Sequence, residues 1–295
     1  MTDAPDADVF EQERSRLQAL SYRMLGSMAD AEDVVQEAWL RWDRLGAAGR
    51  AEVGRPAAWL TTTTSRLALD RLKSAQRVRE QYVGPWLPEP VLTADDPAET
   101  LELAESLTLG FLTVLERLGP VERAVFLLAD VFGESFAAIA ATVGRSEQTC
   151  RQIASRARRR VREERRSDRP AVTRRDDLVH AFMAACALGQ LDELRRVLTD
   201  DVVLVSDGGR EVHAARRPVI GFHRVSRLLA TLTRRMPADL QIGEHEVNGE
   251  SGLVFSRGGR PWLVMVFEVD ADRIAAIRLI INPAKLGHVV VAATS

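Results

Sequence analysis

The sequence predicts a multidomain chain: two all-α segments, the second built around a helix-turn-helix, followed by an α+β domain. Three observations carry this. Apolar residues recur at i, i+3, i+4 spacing through the first half of the chain. A proline-rich, acidic stretch, WLPEPVLTADDPAET, interrupts that pattern from residue 86. Short β-branched runs separated by glycine turns fill much of the final third.

The 295 residues leave room for two or three domains of ~100–150 residues each. Hydrophobic content of 46% supports packed cores and excludes a disordered chain. No run approaches the ~20 apolar residues of a membrane helix. The acidic start, MTDAPDADVFEQE, lacks the apolar stretch of a secretory leader. A cytoplasmic protein with no membrane partner is therefore expected. Two cysteines, Cys150 and Cys186, exclude a disulfide scaffold and a cysteine-rich zinc centre. The net charge of −2 hides an asymmetry. Residues 1–106 carry 12 basic and 19 acidic side chains, residues 107–175 carry 14 and 8, and residues 176–295 carry 14 and 15. The basic middle segment ends in an arginine run over 151–175, which points to a polyanion.

In the first segment, residues 8–85, DAEDVVQEAWLRW (30–42) places Ala31, Val34, Val35, Ala38, Trp39 and Trp42 on one helical stripe. Asp30 is placed to cap that helix. Asp33, Gln36 and Glu37 share a different face, where acidic and amide groups suit a basic partner helix. A second helix follows Pro56, over about 57–79. Arg66, Lys73 and Arg77 line one face of it, with Asp70 at i+4 from Arg66 and expected to pair with it. The hydroxyls of Thr61–Thr64 beside this stripe suit phosphate or base-edge contacts, or are plain surface. The linker, residues 86–106, holds the acidic cluster Asp95, Asp96 and Glu99. It also holds Trp86, too large an apolar ring to leave in solvent and so expected to pack on a neighbouring domain.

In the next segment, residues 107–165, Gly119-Pro120 starts a helix over 121–131. FAAIAATVGRSEQTCRQIASRARRRV (136–161) then matches a helix-turn-helix. Ile139, Val143, Cys150 and Ile153 fall at buried positions, and Ala140 is small where the helices cross. Gly144 takes the turn, where positive φ is required, and Ser146 caps the second helix. Arg145 stands where an apolar residue is usual. Glu147, Gln148, Arg151, Gln152 and Ser155 face outward. Arg reads guanine and Gln reads adenine in the major groove, so Arg151 and Gln152 are the expected base readers. Arg156, Arg158, Arg159, Arg160 and Arg162 are expected on phosphates. A plain helical hairpin leaves those arginines unexplained. Cys150, mid-helix among apolar neighbours, is expected in the core.

These motifs, in this order over residues 8–165, resemble an extracytoplasmic-function (ECF) sigma factor. The resemblance implies that the first segment binds the clamp helices of core RNA polymerase and reads the −10 element as a melted strand. The second reads the −35 element of promoter DNA as duplex. It implies polymerase contacts for Asp33, Gln36 and Glu37, and −10 contacts for Arg66, Lys73 and Arg77. Many relatives have Asn where Arg66 stands. For the −35 element it implies Gln148, Arg151, Gln152, Ser155, Arg156 and Arg159.

The third segment, residues 174–290, predicts helices over 177–188 and 191–198, strands over 202–205 and 211–215 about a turn at 207–209, and a helix over 221–236. Strands near 239–247, 252–256, 261–269 and 273–281 follow, as a curved antiparallel sheet. This looks like a SnoaL-like, NTF2-type cone. ECF sigma factors with such a fused domain carry short motifs that this chain shares: WLPEP, with Trp86 and Pro88, and NPAKL, with Asn282, Pro283, Lys285 and Leu286. Asp207, Gly208 and Gly209 keep the family's hairpin, whereas Arg210 and Glu211 depart from it. The resemblance implies that these residues join the cone to the rest of the chain, and that the cone replaces a separate anti-sigma factor. Cones of this type also serve as enzymes or ligand sensors. The groups that would then act, on a small ligand, are Asp207, His180, His213, His223 or His245. No HExxH and no paired-carboxylate spacing occurs, so a non-enzymatic cone without cofactor or metal is the expectation.

Overall fold

The structure, a computed structural model, describes residues 5–79, 81–93, 107–164 and 172–290. The acidic cluster Asp95, Asp96 and Glu99 lies outside them. The chain divides into two compact units, Met1–Gln81 with Val114–Glu164, and Tyr82–Thr113 with Arg165–Ser295.

The first unit begins with α1 (Pro5–Leu25), α2 (Met28–Arg44), the short α3 (Gly46–Ala51) and α4 (Pro56–Arg79). Ser27, one helical turn before the expected cap, accepts from the Asp30 amide at 3.2 Å and starts α2. Asp30 is instead a first-turn acid, where the helix dipole favours it. The apolar stripe of α2 faces inward as its spacing demands. Phe10, Leu17, Val35, Trp42 and Leu60 form one buried cluster. The rings of Phe10 and Trp39 lie 4.8 Å apart, and those of Trp42 and Trp59 5.3 Å apart.

The helix α5 (Leu109–Leu115) spans the boundary of the two ranges. The rest of the first unit is α6 (Pro120–Phe126), a π-helical turn (Leu127–Val131), α7 (Phe136–Val143) and α8 (Glu147–Glu164). A buried arginine joins its two halves. Arg123 is 2% exposed. Its Nε donates to the Leu115 carbonyl at 2.9 Å and its Nη1 to the Met24 carbonyl at 2.8 Å. Its Nη2 lies 2.6 Å from Glu116 Oε1. Glu116 also pairs with Arg79, which donates to the Leu25 carbonyl. The last carbonyls of α1 have no partner within their own helix, and two guanidinium groups satisfy them. Burial pushes the Arg123 guanidinium below its usual pKa.

The second unit contains α9 (Val172–Leu188), α10 (Leu191–Val197), α11 (Phe222–Arg235) and a six-stranded sheet. Its strands are β1 (Leu198–Asp207), β2 (Val219–Ile220), β3 (Gln241–Val247), β4 (Glu250–Arg257), β5 (Arg260–Asp270) and β6 (Arg273–Ile280), in the order β2-β1-β6-β5-β4-β3. Two expectations are corrected. The sheet is mixed, because β1 runs parallel to β6 after the long return through α11 and β3–β5. Residues 211–215 are not a strand. The Val212 amide closes a turn on the Gly208 carbonyl at 3.1 Å, and the Ala215 amide donates to Ser206 Oγ at 2.9 Å. The strand paired there with β1 is β2. Phe182, Val225, Leu229, Leu253, Phe255, Phe267 and Ile277 belong to the buried core between the helices and one sheet face. Gly110 of α5 packs on the other face, where a Cβ would stand 2.9 Å from Glu268 Oε2.

The linker residues 82–93 belong to this unit. Asn248-Gly249 turns the β3–β4 hairpin with φ of 54° and 72°, as a two-residue turn of this composition favours. The Asn248 side chain then reaches the linker. Its Oδ1 accepts from the Val91 amide at 2.9 Å and its Nδ2 donates to the Leu107 carbonyl at 3.0 Å. A second anchor is charged. Asp207 at the end of β1 is 1% exposed. Its carboxylate accepts from Lys285 Nζ (2.7 Å), the Leu87 amide (2.8 Å), Tyr82 Oη (2.5 Å) and the Gly209 amide (3.1 Å). Lys285 Nζ also lies 3.9 Å from the Trp86 ring centroid and donates to the Leu87 carbonyl. Asn282 Nδ2 donates to Tyr82 Oη at 2.8 Å. Burial, then the bond to Asp207, raises the Tyr82 phenol pKa. Gly209, at φ +62°, sits against the Asn282 amide with no room for a Cβ. Replacing Lys285 by Met should therefore cost about 3–5 kcal/mol, since the Asp207 carboxylate is left buried without its cation. Denaturant titration of the full chain measures this. A double variant that also carries Asp207→Asn should recover much of the loss.

Candidate nucleic-acid interface

The helix-turn-helix is built from local signals. Ser135 Oγ accepts from the Ala138 amide at 3.2 Å and starts α7. Gly144, at φ +67°, ends it in the left-handed conformation. Ser146 Oγ accepts from the Thr149 amide at 3.2 Å and starts α8. Ile139, Cys150, Ile153, Ala154, Ala157 and Val161 are buried. Val143 is only half-buried, and Thr142 takes the buried place at the end of α7. Burial raises the Cys150 thiol pKa, in keeping with a core role.

With one side of α8 packed inward, Gln148, Arg151, Gln152, Ser155, Arg156 and Arg159 all fall on the opposite, exposed face. Arg151 Nη2 donates to Glu147 Oε2 at 2.8 Å, and its guanidinium lies 5.1 Å from the Phe136 ring centroid. Both contacts hold it upright at the N-terminal half of the helix. Two of the expected phosphate ligands are placed elsewhere. Arg158 Nε donates to Asp130 Oδ1 at 2.6 Å and Arg160 Nη1 to Glu122 Oε2 at 2.7 Å, so both brace α8 against the preceding helices. Arg156, Arg159 and Arg162 are exposed.

On α4, Arg66 and Lys73 are exposed on one face, and the Arg77 side chain lies outside the described residues. Asp70 pairs with Lys73 at 3.0 Å and not with Arg66, whose Nη2 donates to the Ala141 carbonyl of α7 at 2.8 Å. Thr61 and Thr64 are buried and therefore not a phosphate surface. Thr61 Oγ1 donates to the Ala57 carbonyl and accepts from Arg16 Nη1, each at 2.8 Å.

On α2, Asp33 and Gln36 are exposed and Glu37 is half-buried. Arg71 of α4 grips Asp30 at 2.9 Å and Asp33 at 2.9 Å, and its bonds to these carboxylates, Asp30 foremost, raise its pKa. Glu37 accepts from Arg41 at 3.0 Å. Leu40, 40% exposed, lies on the same helix face, an apolar centre within a polar rim. Sequence reasoning missed Arg71, Leu40 and Tyr82. Leu40 was within reach of the i+3, i+4 spacing from Gln36 and Glu37, whereas Arg71 pairs across 38 residues.

The remaining motif residues converge in the second unit. Trp86, Asp207, Gly209, Asn282 and Lys285 meet at the buried pair described above. Pro88 and Leu286 are buried beside it in sequence, Gly208 packs against the Val212 carbonyl, and Pro283 opens a 3-10 turn (Pro283–Lys285). His180, His213 and His223 are exposed, and His245 is half-buried. His180 Nε2 lies 2.8 Å from Glu244.

Comparison with known proteins gives the family. The family model Sigma-70 region 2 matches residues 9–78, and Sigma-70, region 4 matches residues 109–161. ECF RNA polymerase sigma factor SigJ of Mycobacterium tuberculosis is 42% identical over 82% of this chain and 78% of its own. The chain belongs to the ECF sigma factors. A second such sigma factor of that organism, the probable SigI, is 33% identical over 96% of this chain and 95% of its own. The crystal structure of M. tuberculosis SigJ superposes with a TM-score of 0.76 at 37% identity, covering 95% of this chain and 97% of that one. In this ECF sigma factor, α8 is the helix of region 4 with an open polar face, which gives a contrast to measure. Arg151→Ala should weaken duplex binding by about 1–3 kcal/mol and relax preference for one base position. Arg158→Ala should leave duplex affinity unchanged and lower stability by about 0.2–1 kcal/mol. Fluorescence anisotropy on a −35 duplex, beside denaturant melts, separates the two.

Proposed function

We propose that the chain is an alternative sigma subunit with four divided tasks. The α2 face with Asp33, Gln36, Glu37 and Leu40 docks on core RNA polymerase. Arg66, Lys73 and Arg77 of α4 meet the −10 strand. The outward face of α8 reads the −35 duplex, with Arg151 and Gln152 on base edges and Arg156 and Arg159 on phosphates. The C-terminal cone sets the activity of the sigma segments by holding the linker through Trp86, Pro88, Asp207 and the 282–286 turn, in place of a separate anti-sigma factor. The observation that carries this reading is the exposed polar face of α8, six side chains long, on a helix that turns Arg158 and Arg160 back into ion pairs with the preceding helices.

In the compact form both DNA-facing helices belong to one unit. A unit of about 130 residues has a radius of gyration of ~14 Å. The −10 and −35 elements lie ~25 base pairs apart, or ~85 Å at ~3.4 Å per pair. One closed unit does not span that distance, so promoter binding requires α4 and α8 to part. Arg66, engaged with the Ala141 carbonyl, is freed by the same step. The closed form is a resting state, and core polymerase selects the open one. An enzymatic cone is not favoured. Asp207, its candidate base, accepts four hydrogen bonds from within the protein.

Transcription in vitro tests the assignment. Core RNA polymerase with the full chain should start transcripts at defined sites on a promoter template, and core alone should not. Trp86→Ala should change transcript yield at least several-fold while the −35 duplex affinity stays the same. Unchanged yield would leave the linker anchor without a regulatory role.

A further inference from the structure

Six arginines of the C-terminal domain lie between Glu211 and Asp239. They are Arg216, Arg217, Arg224, Arg227, Arg234 and Arg235, and no acidic residue lies among them. All six are exposed, and none makes an ion pair or side-chain hydrogen bond among the described residues. Other arginines of this domain are partnered: Arg196 with Glu193 (2.7 Å), Arg195 with Asp200 (3.6 Å), Arg257 with Asp239 (2.7 Å). That last pair also occupies the acid that follows the basic run.

The helix geometry gathers four of them. The apolar side of α11, with Phe222, Val225 and Leu229, is buried in the core. At 100° per residue, Arg224, Arg227, Arg234 and Arg235 then fall within one arc of about 100°, on the exposed side. His223 joins them at its edge. Arg224 and Arg234 stand about 15 Å apart along the axis. Duplex DNA offers one phosphate per ~3.4 Å of axis on each strand, so each arginine has a separate phosphate to meet.

We infer that this face of α11 binds the phosphodiester backbone of duplex DNA, independently of sequence, so that the cone itself grips promoter DNA. The inference rests on the reading of the chain as a promoter-binding subunit. Thr231 within the arc and Ala230 beside it are small. A protein partner would need a large apolar or aromatic anchor, and α11 exposes none. Insertion into a membrane needs an apolar face, and that of α11 is in the core. Guanidinium groups without carboxylate partners, on a rigid helix, match phosphate oxygens.

The test uses the full chain and a labelled random-sequence duplex, with affinity read by anisotropy from about 50 to 200 mM salt. The triple variant Arg224→Gln, Arg227→Gln, Arg234→Gln should lower the slope of log K against log salt by about 2–3, since each phosphate no longer neutralised removes ~0.9. Affinity should fall about equally for all sequences. The corresponding Arg→Lys triple should retain the slope, which separates charge from any disturbance of the helix. An unchanged slope in the Gln triple overturns the inference. So does an unchanged slope accompanied by weakened binding to core polymerase or to anionic phospholipid vesicles, since the patch would then serve that partner. Failure of the underlying reading looks different: the unsubstituted chain would bind neither core polymerase nor a −35 duplex.

Discussion

The bonding of Arg123 governs what the first unit can do. Its guanidinium ties the C-terminal carbonyls of α1, the end of α5 and the Glu116–Arg79 pair into one buried node. Charges taken out of water at such a node repay their desolvation only while every partner is present. The node is therefore all-or-none. Intact, it holds α1 and α4 against α5 and α6. Once one partner leaves, the remaining charges favour water, which on the proposed reading lets the two halves separate. Bistability of this kind suits a subunit that rests closed and acts open. The outer contacts, Arg16 with Glu134 at 2.9 Å and Arg66 with the Ala141 carbonyl, are half-exposed and add little to the closed form.

The second unit uses a different device to the same kind of end. Its short motifs lie far apart in sequence, yet Tyr82, Trp86, Asp207, Asn282 and Lys285 share one buried cluster. A cluster so fully paired adds more to uniqueness than to stability, because any slip of the linker strands a charge. It fixes where Leu87 and the neighbouring prolines run. The cone is thereby a clamp on the linker, and the linker is the only covalent link between the two halves of the sigma segment. On the inference above, the arginines of α11 give the same domain a surface for duplex DNA.

Most of the helical part was legible in the sequence, since its signals are local. Gly144, Ser146 and the inward spacing of Ile139, Cys150 and Ile153 define the turn and the exposed face of α8 within about twenty residues. What was illegible depends on partners distant in sequence. Arg158 and Arg160 look like phosphate ligands until Asp130 and Glu122 are placed beneath them. Asp70 had two basic neighbours at helical spacing, and the choice of Lys73 follows from Ala141 having taken Arg66. Thr61 and Thr64 fill core positions that β-branched residues fit as well as aliphatic ones. In the cone, four long strands and α11 were readable from their periodicity. The parallel pairing of β1 with β6 was not, because strand direction is set by the route of the chain and not by the residues in the pair.

The opening of the first unit is most directly measured as a distance. Spin labels at Ser74→Cys on α4 and Glu163→Cys on α8 occupy exposed positions. Cys150 is buried with a raised thiol pKa, and burial pushes Cys186 up to about 12, so neither competes well for label. Electron–electron resonance on the free chain should give the short separation of the closed unit. Addition of core polymerase and promoter DNA should lengthen it by tens of ångströms, toward the ~85 Å between the two promoter elements. The same short distance in the promoter complex would contradict the closed-to-open mechanism.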